Sequence, residues 1–179
     1  MATDIDRLLQ KNGQYQHPAA LKYLVMDVLA QAEGQLTLIE QRDSMGRYVL
    51  QIYGMISTTV LRQDYNTQIN MWLPYNFPHE APTLYVIPTN DMKIPLHHEN
   101  ISANGRVQIP MLDSWSADSS LAILLVAVSS VFVKKPPLVR VPKGRVTPTF
   151  QQVMTAIQKK KAQMKRTLAP KRDGLVVCS

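Results

Sequence analysis

The hydrophobic period of this 179-residue chain changes at Gly34, and that change limits the folds open to it. Upstream, Leu21, Leu24, Val25, Val28 and Leu29 recur three and four residues apart, which puts one apolar stripe on an α-helix. Downstream, Leu36 and Leu38 alternate with Thr37 and Ile39, the period of a strand with two unlike faces. Pro18 suits the first position of the helix, and Gly34 stops it at about Glu33. Ahead of it, Thr3 is positioned to cap a short helix from Asp4 to about Lys11, with Gly13 just past its end.

After Gly34 the strands follow in series. Asp43-Ser44-Met45-Gly46 is a turn, so residues 35–57 read as a hairpin whose second strand is Tyr48–Ser57. Tyr65–Leu73 is a third strand with Ile69, Met71 and Leu73 on one face. Pro74, Pro78 and Pro82 interrupt the way to a fourth, Thr83–Ile87, because proline removes a ladder donor. Residues 88–117 read as a long irregular loop, a length that in a compact domain usually serves function. A nearly all-apolar helix, Ser119–Val133, is expected to pack on the sheet and to end at Lys134-Lys135-Pro136-Pro137. Short links between successive strands imply an antiparallel meander with helices on one face, an α+β architecture.

Charge divides the chain. Residues 1–133 hold eight Lys/Arg against twelve Asp/Glu, while 134–179 hold twelve Lys/Arg against Asp173 alone, so the net +7 belongs to the tail. This argues against a nucleic-acid-binding core. The expected division is 1–141 as a domain and 142–179 as a basic amphipathic helix and tail. Phe150, Met154, Ile157, Met164 and Leu168 carry the apolar spacing of a helix from Thr147-Pro148 to about Leu168. Its lysines face solvent, an acidic partner or a membrane surface. The longest apolar run, Leu121–Val133, is too short for the ~20 residues of a membrane span. The N-terminus has no signal-peptide pattern, and a cytoplasmic protein is expected. One cysteine, Cys178, excludes an internal disulfide and a thiolate-built zinc site. His97 and His98 are adjacent, so they point apart in an extended loop and suggest no metal site.

The segment His98–Trp115 resembles the active-site stretch of ubiquitin-conjugating enzymes, which reads His-Pro-Asn, a glycine turn, then a cysteine ten residues after the histidine. Ten residues after His98 stands Gln108, and an amide cannot form a thioester. The wider pattern is Tyr65-Asn66, Trp72-Leu73-Pro74, Phe77-Pro78, Ala81-Pro82, Pro88-Thr89 with Met92, Ala103-Asn104-Gly105, Ile109-Pro110, Leu112, Trp115, and Phe132 followed by Pro136-Pro137. It resembles the ubiquitin-conjugating-enzyme variant (UEV) domain of ESCRT-I subunits of the tumour-susceptibility and vacuolar-sorting class, over roughly residues 5–140. The resemblance implies a ubiquitin-conjugating-enzyme-like fold with an N-terminal helix and without the two C-terminal helices of active enzymes. It implies no cofactor and no enzymatic activity.

Three groups of residues follow from the resemblance. Thiol catalysis needs a thiolate and an asparagine for the oxyanion; Asn100 is present, beside Glu99 where active enzymes have proline, and it reads as a structural loop asparagine. For peptides of the Pro-Thr/Ser-Ala-Pro kind, the implied groove residues are Tyr65, Asn66, Met92, Pro136, Leu138 and Val139. Stiff proline-rich peptides lose little entropy on docking. Val60 and Val139 stand where animal members carry tyrosine and phenylalanine, and the alternative is that Tyr65 and Met92 fill the sheet edge. For ubiquitin, the implied contacts are Arg42, Asp43, Ser44 and Met45 at the hairpin tip with Trp72 and Tyr85 on the sheet. Trp72 alternates with Met71 and Leu73 and so faces away from them. The implied role is a non-catalytic adaptor of endosomal sorting, recruited peripherally to endosomes in multivesicular-body formation, with other ESCRT-I subunits as candidate partners. The alternative is an inactive cofactor subunit paired with an active conjugating enzyme in ubiquitin-chain synthesis. The family's ESCRT-I members continue into a linker, stalk and headpiece that 179 residues do not hold.

Overall fold

The structure, a computed structural model, describes residues 2–11, 13–43, 45–60 and 62–141. Two helices come first, α1 (Ala2–Lys11) and α2 (Pro18–Gln31). Strands β1 (Leu36–Arg42), β2 (Tyr48–Val60), β3 (Gln63–Leu73) and β4 (Thr83–Val86) then form one antiparallel sheet in sequence order. A two-residue strand β5 (Met92–Lys93), a one-turn helix α3 (Pro110–Asp113), helix α4 (Leu121–Lys134) and a second two-residue strand β6 (Val139–Arg140) complete it. The tail helix and Cys178 lie outside the described residues, as does Ser44 at the hairpin tip.

The register fixes which face each residue serves. Leu50 opposite Leu73, Ile52 opposite Met71, and Met71 opposite Leu84 put one row of apolar residues on the inner face. Against it pack Leu21, Val25 and Val28 of α2 and Leu121, Leu124, Val128 and Phe132 of α4. The complementary row, Gln51–Trp72–Thr83, Tyr53–Asn70–Tyr85 and Met55–Gln68, forms the outer face. A single-residue slip would exchange the two, so the burial of Leu50, Ile52, Met71 and Leu73 is what holds the register.

Two close approaches require glycine. At Gly54 a Cβ would stand 2.0 Å from the Gln35 carbonyl oxygen, where β1 enters the sheet. At Gly105, φ +89, it would stand 2.5 Å from the Val86 carbonyl oxygen. Tyr15 ties the helical layer to the sheet: its hydroxyl donates to the Leu73 carbonyl at 3.0 Å and accepts from the Leu50 amide at 2.7 Å. Burial pushes that phenol up to about 12, against the lowering effect of the Leu50 hydrogen bond and with the Tyr75 ring nearby.

Several expectations are corrected. Helix α1 begins at Ala2, ahead of the expected start at Asp4. The 88–117 segment holds β5 and α3, and it reaches the sheet through the bridge Tyr85–Arg106. Helix α4 does pack on the sheet, but with one face: Ile123 is 61% and Val126 65% exposed, because only one of its two apolar faces meets α2 and the sheet.

Candidate functional site

A cleft follows from the way α4 ends. Its last turn runs into Pro136-Pro137, which cannot continue a helix, and the chain leaves extended as β6. Pairing of β6 with β5 sets Met92 opposite Arg140 and Lys93 opposite Val139, and the Val141 amide donates to the Asp91 carbonyl at 2.8 Å. Between this arm and the first residues of β3 lies a cleft of about 560 Å³. Tyr65, Asn66, Met92, Pro136, Leu138 and Val139 all line it, so the structure brings the six groove residues together. Val60 is not among the lining residues. Gln63, Asp64 and Arg140 are, and sequence reading missed them. The period-2 relation of Arg140 to Leu138 was the available signal, but without the β5–β6 ladder it had no context.

The segment around His98 braces the arm that forms one wall of this cleft. His98 is only 7% exposed; its Nδ1 accepts from the Asn100 amide at 3.2 Å, which leaves Nε2–H to donate to the Lys135 carbonyl at 3.2 Å. Lys135 Nζ also donates to Glu99 Oε1 at 3.0 Å, and this hydrogen bond and charge hold the Glu99 carboxyl below its ordinary value. Lys135 immediately precedes Pro136, so both contacts fix where the arm departs. Asn100 is occupied with the loop itself. Its carbonyl accepts from the Gln108 amide at 2.7 Å and its side-chain Nδ2 donates to the Gln108 carbonyl at 3.3 Å. Gln108 is exposed. Trp115 closes the segment by donating Nε1–H to the Pro78 carbonyl at 2.7 Å and packing near Phe77.

The outer sheet face is the second candidate surface. Trp72 and Tyr85 are half-buried and lie on it as diagonal neighbours, Trp72 opposite Thr83 and Tyr85 opposite Asn70. Gln51, opposite Trp72, is 2% exposed, and its Nε2 has no partner; nor has Asn70 Oδ1. Gln68 Nε2 donates to the Tyr53 hydroxyl beside them.

The hairpin tip is built differently. Arg42 pairs with Tyr48 in the inner-face row, its guanidinium 4.6 Å from the ring centre and donating to the Tyr48 hydroxyl at 2.7 Å. Lys11 approaches the same ring at 4.8 Å. Arg42 and Trp72 therefore belong to opposite rows of the sheet. Asp43 Oδ1 accepts from the amides of Met45 and Arg47, each at 2.9 Å, and Oδ2 from Arg47 Nε at 2.9 Å. Burial raises the Asp43 carboxyl, but these bonds outweigh it and hold the group below its ordinary value. Met45 is exposed at the tip. Among the described residues no group of three or more His, Cys, Asp or Glu is arranged to hold a metal.

Helices on one face of a four-stranded meander, followed by a glycine-turned loop and a core helix, define an α+β domain of the ubiquitin-conjugating-enzyme-like class. The chain belongs to the UEV domain family, whose model matches residues 8–140. A Dictyostelium discoideum relative, ESCRT-I complex subunit tsg101, is 36% identical over 58 residues, covering 32% of this chain and 12% of its own length. The curated relatives that match are much longer proteins, of which the chain covers 12–36%. The yeast vps23 UEV domain in complex with a vps27 PSDP peptide shares the fold with a TM-score of 0.57 at 21% identity, over 71% of this chain and 88% of that one. A complex of the Vps23 UEV with ubiquitin gives a TM-score of 0.55 at 22% identity, over 74% of this chain and 94% of that one.

Proposed function

We propose that this chain is a non-catalytic recognition domain of ESCRT-I-type endosomal sorting, which binds short proline-containing peptides in the cleft and ubiquitin on the outer sheet face. The observation that carries the reading is the cleft itself, which gathers Tyr65, Asn66, Met92, Pro136, Leu138 and Val139 from three separated stretches of sequence. Its apolar walls suit proline rings, and an extended proline-rich peptide is already stiff. For ubiquitin, Trp72 and Tyr85 offer aromatic surface on a sheet face that no helix covers, the kind of anchor that dominates weak interfaces. Catalysis is absent from this function because Gln108 stands where the nucleophile is needed and its backbone is fastened to Asn100. The protein works in the cytoplasm, recruited to endosomes by what it binds.

Amide chemical-shift titration tests both surfaces on one sample. A Pro-Thr-Ala-Pro or Pro-Ser-Asp-Pro peptide shifts residues around Tyr65, Met92 and Leu138, and ubiquitin shifts those around Trp72 and Tyr85. Absence of both sets of shifts at millimolar ligand overturns the proposal.

A further inference from the structure

Helix α4 presents an apolar face that no described element covers. Ile123, Val126 and Val133 are exposed along it, three and then seven residues apart, so they form a ridge about 15 Å long. Ser130 fills the turn between the two valines. Its Oγ donates to the Val126 carbonyl at 2.9 Å, so it brings no unsatisfied group to a contact. Beside the ridge, between α2 and α4, lies a groove of about 550 Å³ lined by Ala32, Ala122, Leu125 and Ser129 among others. Gln31, also in the lining, is engaged with Asp27 Oδ1 at 2.9 Å. An exposed apolar ridge next to a groove of small side chains fits a copy of itself. Under a two-fold axis each ridge enters the other groove.

The charges at the ends of the ridge set the direction of pairing. Asp118 is exposed just ahead of the Ser120 cap, and Lys134 is exposed in the last turn of α4. Among the described residues neither has an ion-pair partner, whereas the adjacent Lys135 is taken by Glu99. Laid antiparallel about Val126, two copies of α4 bring Asp118 of each to the level of Lys134 of the other. The same alignment sets Ile123 across from the small Ser129. A parallel, in-register pair would instead put Asp118 beside Asp118 and Lys134 beside Lys134. We propose that this face pairs two copies of the chain, α4 antiparallel to α4, with Val126 at the centre and Asp118–Lys134 contacts at both ends. The outer sheet face lies on the far side of the sheet from α4, so pairing leaves it open in each copy.

Sedimentation equilibrium of the full chain tests the pairing. So small a face makes a weak dimer, so the measurement spans roughly 10 µM to 1 mM. The expected mass rises across that range from one chain toward two. Val126→Glu puts a charge at the centre of the contact and should hold the chain as a monomer. Because the residue is exposed, the melting temperature should stay near that of the parent. Asp118→Lys and Lys134→Asp each set like charges face to face and should weaken pairing about two- to five-fold, while the two changes together restore it. A chain that stays monomeric throughout overturns the inference and leaves the face to a different protein. A dimer untouched by Val126→Glu lies on another surface and overturns it equally. A dimer that Val126→Glu breaks but neither single charge change weakens overturns the antiparallel pairing, and the inference with it.

Discussion

Replacing Val139 by phenylalanine should turn a shallow part of the cleft wall into a ring-bearing one. Val139 is 39% exposed, on the two-residue strand opposite Lys93, so the larger side chain enters space that the fold leaves open. Folding stability should change little, within about 0.5 kcal/mol, as expected for a surface position. If a docked proline covers about 50 Å² of the added ring, about 25 cal/mol per Å² gives about 1.2 kcal/mol. Favourable ring packing adds about 0.5 kcal/mol more. Together these correspond to a Kd lower by roughly tenfold or somewhat more. Isothermal titration with a Pro-Thr-Ala-Pro peptide measures the change, and a ubiquitin titration should remain as in the parent. Val60→Tyr is the internal comparison: Val60 is outside the lining, so its effect should stay under about twofold. A Val139→Phe protein that keeps its melting temperature and binds peptide no better than the parent would refute the assignment of Val139 to the binding wall.

Three further outcomes follow from the geometry. Tyr15→Phe strips the Leu50 amide and the Leu73 carbonyl of their shared partner and should cost about 1–3 kcal/mol by denaturant unfolding. It should also remove a tyrosine step near 12 from the ultraviolet titration. A phenol raised in the fold favours the folded state below its unfolded pKa and loses that support as pH climbs through the folded one. Gly54→Ala should cost roughly 4 kcal/mol or prevent folding, since its Cβ would meet the Gln35 carbonyl oxygen at 2.0 Å; Gly46→Ala, with nothing within 4 Å, should cost only about 1 kcal/mol of backbone strain. At the hairpin tip, the amide shifts of Met45 and Arg47 should titrate together with a midpoint below the ordinary carboxylate value. The support Asp43 gives the tip is complete above its unfolded pKa and disappears as pH falls through the folded one. A midpoint at the ordinary value, unmoved by Arg47→Ala, would sink that account.

Much of the fold was legible because each strand has two chemically different faces. Ile69, Met71 and Leu73 against Asn70 and Trp72 fix the phase of β3 without knowledge of its neighbours. Helix α4 was harder, for the same reason reversed: with Leu121, Ile123, Leu124, Val126 and Val128 apolar all round, no polar face marks which side meets the sheet. The β5–β6 pair was illegible, since Met92 and Arg140 are joined across 48 positions by two residues each and neither segment has a local strand signal. The resemblance named the cleft residues individually, yet only the fold gathers them and adds Gln63, Asp64 and Arg140. It grouped the hairpin tip with Trp72, where the register sets Arg42 and Trp72 in opposite rows.

The hydrogen bond from His98 to the Lys135 carbonyl has a consequence for how such a domain can change over time. A surface loop between strands would ordinarily be free to shorten or drift. Here it is the strut on which the C-terminal arm leans, with Glu99 gripping the same residue from outside. The loop's place in the fold therefore does not depend on any chemistry of its own. Deleting it would leave an unsatisfied carbonyl at the root of the arm and let Pro136 and Val139 swing out of line.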